Sequence, residues 1–199
     1  MQPLEIISQC ALSSANTVRA SYAIAKMVIE QCIPGDFVEC GVFAGSQVAA
    51  MALAIVETGE TNRKIHLFDS FQGIPKAGPK DNVIRRLVGS EGGGPISSGV
   101  SACSRAQVEE YMRNWGVPAG LLVYHEGWFQ DTVPAAQIGP LAILRLDGDL
   151  YESTLICLKH LYPKLSPGGW CIADDYGLDG CREAVDQFLQ DSPIYWVVV

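Results

Sequence analysis

Apolar and polar positions along the chain follow two different periods, and the switches between them lay out the elements. Val18, Tyr22, Ala25 and Ile29 recur at helical spacing until Pro34-Gly35 ends the run. Ser13 and Ser14 stand ready to cap that helix, while residues 1–14 are otherwise mixed and predict no element. Phe37, Val38 and Cys40 then make a short buried strand, Gly41 and Gly45 bracket a turn, and Val48, Met51, Ala52 and Ile55 resume the helical period from Ser46. Residues 65–68, 121–124, 141–146 and 170–173 read as further buried strands. Ser104 and Gln107 make a capping-box pattern for a helix that reaches about Trp115 and is stopped by Gly116. Leu155, Leu158 and Tyr162 mark another helix, after which Ser166-Pro167-Gly168-Gly169 turns the chain back. Cys181, Val185, Phe188 and Leu189 mark the last helix, and residues 194–199 a last strand.

Strands alternating with helices predict an α/β domain with a doubly wound, mostly parallel sheet and helices on both faces. One domain over residues 1–199 is expected, since no repeat or linker appears. The stretch from about 72 to 103 breaks the pattern with Gly, Pro, Ser and Lys, including Gly92-Gly93-Gly94-Pro95. Loops of that length in a compact domain are usually lids or disordered. It is expected to be a lid, with a short helix at 83–88 that carries Arg85 and Arg86.

Composition narrows the class. With 48% hydrophobic and 18% charged residues the chain is a folded soluble protein, and a net charge of −8 opposes a surface built for nucleic acid or anionic lipid. Seven cysteines lack any Cys-x-x-Cys pair and mostly fall in apolar runs, which suits reduced core thiols in the cytoplasm. No apolar run approaches the length of a membrane span.

The first chemical signal is the turn between Gly41 and Gly45. Its Gly-x-x-x-Gly spacing departs from the Gly-x-Gly-x-x-Gly of a pyrophosphate cradle, and Glu39 precedes the first glycine. A carboxylate there repels phosphate and suits a ligand with an ammonium group and hydroxyls, such as S-adenosylmethionine. Asp69, with Ser70 beside it, ends the second strand where an acid can reach the two hydroxyls of a ribose; a plain turn residue is the alternative. Gly127-Trp128-Phe129 follows the third strand, where the aromatic pair could stack on an adenine or simply fill the core.

The second signal is acidic. Strand four ends in Asp147-Gly148-Asp149 and strand five in Asp174-Asp175. Right-handed crossovers bring the carboxyl ends of such strands to one edge of the sheet, so these carboxylates converge. Crowded acids raise one another's pKa or share a cation, and short hard-oxygen side chains suit Mg²⁺ or a similar divalent ion. Asp147, Asp174 and Asp175 are the expected ligands, and Asp149 either supports the cluster or caps the next helix.

Five runs carry a resemblance: Pro34-Gly35-Asp36-Phe37-Val38-Glu39-Cys40-Gly41-Val42, Phe68-Asp69-Ser70-Phe71-Gln72-Gly73-Ile74-Pro75, Leu146-Asp147-Gly148-Asp149-Leu150-Tyr151-Glu152-Ser153-Thr154, Tyr162-Pro163-Lys164-Leu165-Ser166-Pro167-Gly168-Gly169 and Asp174-Asp175-Tyr176. In that order they resemble the macrocin O-methyltransferase family, over about residues 17–190. The resemblance implies a class I methyltransferase (Rossmann-like) fold, S-adenosylmethionine as methyl donor and Mg²⁺ as metal. It implies that Glu39, Gly41, Phe43, Ser46 and Asp69 hold the methionine and ribose parts of the donor, with Ser70 and Asp147 nearby, and that Gly127, Trp128 and Phe129 hold the adenine. It also implies Asp147, Asp174 and Asp175 as metal ligands and a hydroxyl of a sugar or vicinal diol on a small natural product as acceptor. The more distant catechol-type enzymes carry a catalytic lysine three residues after the first aspartate. Here that position is Leu150, so Asp147, Asp149 or His125 would take the proton.

The usual class I sheet closes with an antiparallel pair of strands, for which this chain has no room after Tyr195-Trp196-Val197-Val198-Val199. The sheet is then shorter or completed by another subunit, which favours a homo-oligomer. A donor-binding module without turnover and a nucleotide-dependent oxidoreductase are the competing readings.

Overall fold

The computed structural model describes residues 3–81 and 98–190. Among them, β1 (Asp36–Cys40), β2 (Ile65–Asp69), β3 (Leu122–Glu126), β4 (Leu141–Leu146) and β5 (Leu165–Ala173) form one sheet. Their order is β3-β2-β1-β4-β5, and every neighbouring pair is parallel, as the alternation of strand and helix predicts. The described helices are α1 (Pro3–Ser8), α2 (Ala15–Glu30), α3 (Ser46–Thr58), α4 (Arg105–Asn114), α5 (Phe129–Ala135), α6 (Tyr151–Leu161) and α7 (Asp179–Gln190).

Period-two alternation along β1 divides the core between the two faces of the sheet. Phe37 joins Val18, Val48 and Met51 in a cluster beneath α2 and α3. Val38 and Cys40 point the other way and join Leu144, Leu146, Leu158 and Val185 beneath α6 and α7. A strand covered on both faces is apolar throughout. β4, Leu-Ala-Ile-Leu-Arg-Leu, is buried at every position and breaks that rule only at Arg145.

Local signals set the helix ends where the sequence places them. Ser14 caps α2 by accepting from the Thr17 amide, and Ser104 and Gln107 form both halves of the capping box on α4. α1 and α5 were not expected, being short, and α5 contains Pro134. The largest difference lies in β5, which begins at Leu165 instead of Trp170. Pairing passes from Leu141 with Leu165 to Ile143 with Trp170, so residues 166–169 loop out as an irregularity inside the strand and do not turn between elements. Gly168, at φ +83°, supplies the left-handed backbone this needs.

His125, expected just after the third strand, belongs to β3. Of the expected lid, the two roots are described. They are clasped together, since the Ile74 amide donates to the Val100 carbonyl (3.0 Å) and the Gly99 amide to the Ile74 carbonyl (2.8 Å). The helix expected at 83–88, Arg85 and Arg86, and the strand expected at 194–199 lie outside the described residues. All seven cysteines are free thiols, and no described helix is long and apolar enough to cross a membrane.

Candidate active site at the carboxyl edge of the sheet

The ladder continues one residue past each central strand and fixes what faces the edge. The Asp147 amide donates to the Cys40 carbonyl (2.8 Å), the Asp174 amide to the Leu146 carbonyl (2.9 Å) and the Gly41 amide to the Phe68 carbonyl (2.9 Å). Asp147 and Asp174 therefore emerge side by side. Gly41 sits at φ +91°, where a Cβ would lie 1.6 Å from the Asp147 carbonyl oxygen, so no other residue lets the ends of β1 and β4 approach this closely.

A cavity of about 630 Å³ opens along this edge. Glu39, Gly41, Phe43, Ser46, Asp69 and Ser70 line one side of it, Trp128 and Phe129 another, and Asp147, Asp149, Asp174 and Asp175 a third. Two expected residues stand apart from the lining. Gly127 joins the strand ends by donating its amide to the Asp69 carbonyl (2.9 Å). His125 is directed along the sheet: its ring stacks on Phe68 with centroids 4.1 Å apart, and its Nε2 lies 3.0 Å from His66 Nδ1. His66 Nε2 lies in turn 3.0 Å from Asp36 Oδ2, at the start of β1. β3 runs two residues further than expected, to Glu126, so His125 lies within the strand and its ring packs on Phe68 instead of lining the cavity.

Asp69 is occupied by backbone. Its Oδ2 accepts from the amides of Val42 (2.6 Å) and Phe43 (3.3 Å), and its Oδ1 from that of Phe71 (2.7 Å). It thus holds the Gly41–Gly45 turn in shape. The Ser46 hydroxyl donates to the Ile7 carbonyl (3.2 Å), which fastens the amino-terminal segment over the start of α3.

Arg145 is the residue that sequence reasoning missed. It is 0% exposed on β4 and pairs in register with Glu39, itself 1% exposed. Its Nη1 donates to Asp147 Oδ2 at 2.8 Å and lies 3.4 Å from Glu39 Oε1, while Nη2 lies 2.8 Å from Asp174 Oδ1, close but out of hydrogen-bond alignment. One guanidinium thus faces three acids. Glu39 Oε2 has no hydrogen-bond partner. Burial pushes the Glu39 carboxyl well above the carboxylate range, against the opposing pull of Arg145. A charge inside an apolar strand was the signal available in the sequence, because a buried arginine demands acids around it.

Asp149 sits at φ +57°, and its amide donates to Asp175 Oδ2 (2.8 Å). It does not cap α6. Leu150 occupies the N-cap position, and the Tyr151 amide is taken by Asp81 Oδ1 (2.8 Å) from the loop after β2. Burial, then the charge of Asp147, pushes the Asp149 carboxyl up to about 6 and that of Asp175 up to about 8. Asp147, Asp174 and Asp175 each offer one oxygen within 4.8 Å of the others.

This sheet order, with a ligand-sized cavity at the carboxyl ends of β1, β2 and β4, defines the class I methyltransferase fold. The solved structure of the O-methyltransferase NovP overlays it with a TM-score of 0.82 at 32% identity, covering 96% of this chain and 78% of that one. The chain belongs to the macrocin O-methyltransferase (TylF) family, whose model matches residues 15–196. It is 39% identical over 161 residues to the 8-demethyl-8-(2,3-dimethoxy-alpha-L-rhamnosyl)-tetracenomycin-C 4'-O-methyltransferase of Streptomyces olivaceus, a match taking in 81% of this chain and 60% of that protein. It is also 39% identical over 162 residues to the demethyldecarbamoylnovobiocin O-methyltransferase of Streptomyces niveus, with the same coverage of 81% and 60%. The chain therefore spans less than two thirds of the length of these relatives.

Proposed function

We propose that this chain carries the donor site and catalytic acids of an S-adenosylmethionine-dependent, divalent-metal-dependent O-methyltransferase acting on a hydroxyl of a sugar or vicinal diol in a small natural product. The observation that carries the reading is the trio Asp147, Asp174 and Asp175, which offer one oxygen each within 4.8 Å of one another, on the wall of the cavity that the Gly41 turn also lines. The names of the relatives, two of them O-methyltransferases of natural products, support the acceptor class.

The residues fit a divalent cation. Several carboxylates share one guanidinium, and burial first, then the neighbouring acids, pushes the Asp149 and Asp175 carboxyls up to about 6 and about 8, a cost that a bound cation would offset. Asp147, Asp174 and Asp175 would hold the ion, whose chemistry is to lower the pKa of a bound hydroxyl. The pocket walls fit the donor as well. Glu39 and Asp147 supply carboxyl oxygens that can accept from an ammonium group, and Trp128 and Phe129 supply an aromatic surface for adenine. Asp149 is the residue suited to accept the acceptor's proton, because it faces the cavity and its carboxyl is raised to about 6, close to a working pH. The transfer forms a carbon–oxygen bond, breaks the sulfur–methyl bond, and leaves the hydroxyl proton on the Asp149 carboxylate.

The test is methyl transfer to a panel of sugar and polyphenol diols with Mg²⁺ and with EDTA, alongside calorimetry with S-adenosylhomocysteine. Turnover that survives EDTA would refute the metal, and the absence of S-adenosylhomocysteine binding would refute the donor site.

A further inference from the structure

Each of the three acids has one of its two oxygens already in use. Asp147 Oδ2 accepts from Arg145 Nη1 at 2.8 Å, Asp174 Oδ1 is 2.8 Å from Arg145 Nη2, and Asp175 Oδ2 accepts from the Asp149 amide at 2.8 Å. Three carboxylates carry six oxygens, and three of them face a donor that the fold itself supplies. Arg145 cannot step aside, being 0% exposed and flanked by Glu39 at 3.4 Å on its other side. A dication drawn onto an oxygen that a buried guanidinium already holds would be repelled by that guanidinium.

We propose that Arg145, helped by the Asp149 backbone amide, is the positioning residue that restricts Asp147, Asp174 and Asp175 to one-oxygen ligation and so selects a small octahedral cation over Ca²⁺. This rests on the reading of the acids as a cation site. Ca²⁺ takes about six to eight oxygens at about 2.3–2.6 Å and favours two-oxygen carboxylates, whereas Mg²⁺ takes six at about 2.0–2.1 Å and keeps waters. Three single oxygens cover half an octahedron. An octahedral ion held by these three oxygens would keep three positions for a diol and water, and a high-coordination ion would find too few protein ligands. A sheet that offered all six carboxylate oxygens would favour Ca²⁺ and leave at most about two places for an acceptor and waters.

The experiment is done on the full chain without donor or acceptor. Mn²⁺ binding is followed by electron paramagnetic resonance, Mg²⁺ and Ca²⁺ are used as competitors, and infrared spectra record the carboxylate stretches of the Mg²⁺-loaded protein. Expected are Mn²⁺ displaced by Mg²⁺ at least tenfold more effectively than by Ca²⁺, and a wide separation of the symmetric and antisymmetric stretches, the signature of one-oxygen ligation. Arg145→Met combined with Glu39→Gln, which removes the guanidinium and the buried acid beside it together, should lower the Mg²⁺ over Ca²⁺ preference at least tenfold. Circular dichroism verifies that this variant folds, and the infrared result on the unmodified chain decides the matter if it does not. A narrow, two-oxygen carboxylate signature, a preference for Ca²⁺, or an unchanged ratio in the folded variant overturns the proposal. No Mn²⁺ binding at all removes the cation site, and the role of Arg145 falls with it.

Discussion

The two ends of the carboxyl edge hold acids in opposite circumstances. At the β1–β2 end the backbone answers Asp69, whose carboxylate takes three amides. At the β4–β5 end, Asp147, Asp149, Asp174 and Asp175 have between them one shared guanidinium and one amide. An acid saturated by amides is scaffolding that shapes a turn. An acid left short of positive charge is where a cation gains most, and where pH is felt.

Removing one of the acids proposed to hold the cation should break the contrast most sharply. Asp174→Ala is expected to cut metal-dependent turnover by about 100-fold or more while S-adenosylhomocysteine affinity moves less than about threefold, as measured by initial rates and calorimetry. Equal losses in both would merge the two ends into one site. At the saturated end, Asp69→Ala strands three amides and should cost ~2–4 kcal/mol in denaturant unfolding, with donor affinity falling about tenfold as the turn loosens. Asp69→Asn, which keeps an acceptor, should recover part of the stability.

pH sharpens the comparison from another side. The folded Asp149 and Asp175 hold protons up to about 6 and about 8, whereas an unfolded aspartate releases its proton near about 3.9. Between those values the folded state binds more protons than the unfolded one, so stability falls as pH rises from about 4 towards about 8. Thermal melts in EDTA should show that decline, and Mg²⁺ should flatten it. The smallest effect is expected at His125. His125→Ala should leave turnover within about twofold, since its ring packs on Phe68 and not on the cavity, and should lower only the melting temperature.

The sheet could be read from the chain because its cause is local. Apolar runs such as 141–146, punctuated by glycine and proline, fix strand positions, and right-handed crossovers fix the parallel order. The meeting of Asp147 with Asp174 follows from the same rule. What escaped depends on contacts between distant residues. The α6 amide at Tyr151 is capped by Asp81, which lies 70 positions earlier, and no local pattern announces it. The looped-out segment at 166–169 looks like a turn until the strand beside it is known. Arg145 was visible as a lone charge among Leu and Ile, yet its three acidic neighbours come from β1 and from the ends of β4 and β5.

The pairing of Glu39 with Arg145 joins residues 106 positions apart. Contacts so remote in the chain close late during folding, because the loop entropy is lost before any packing rewards it. An amino-terminal fragment ending before β4 would lack both the central neighbour of β1 and the countercharge of Glu39. Refolding followed by stopped-flow should therefore show helix formation well before any affinity for divalent ions, and the nascent chain should acquire that affinity only after Asp175 has left the ribosome.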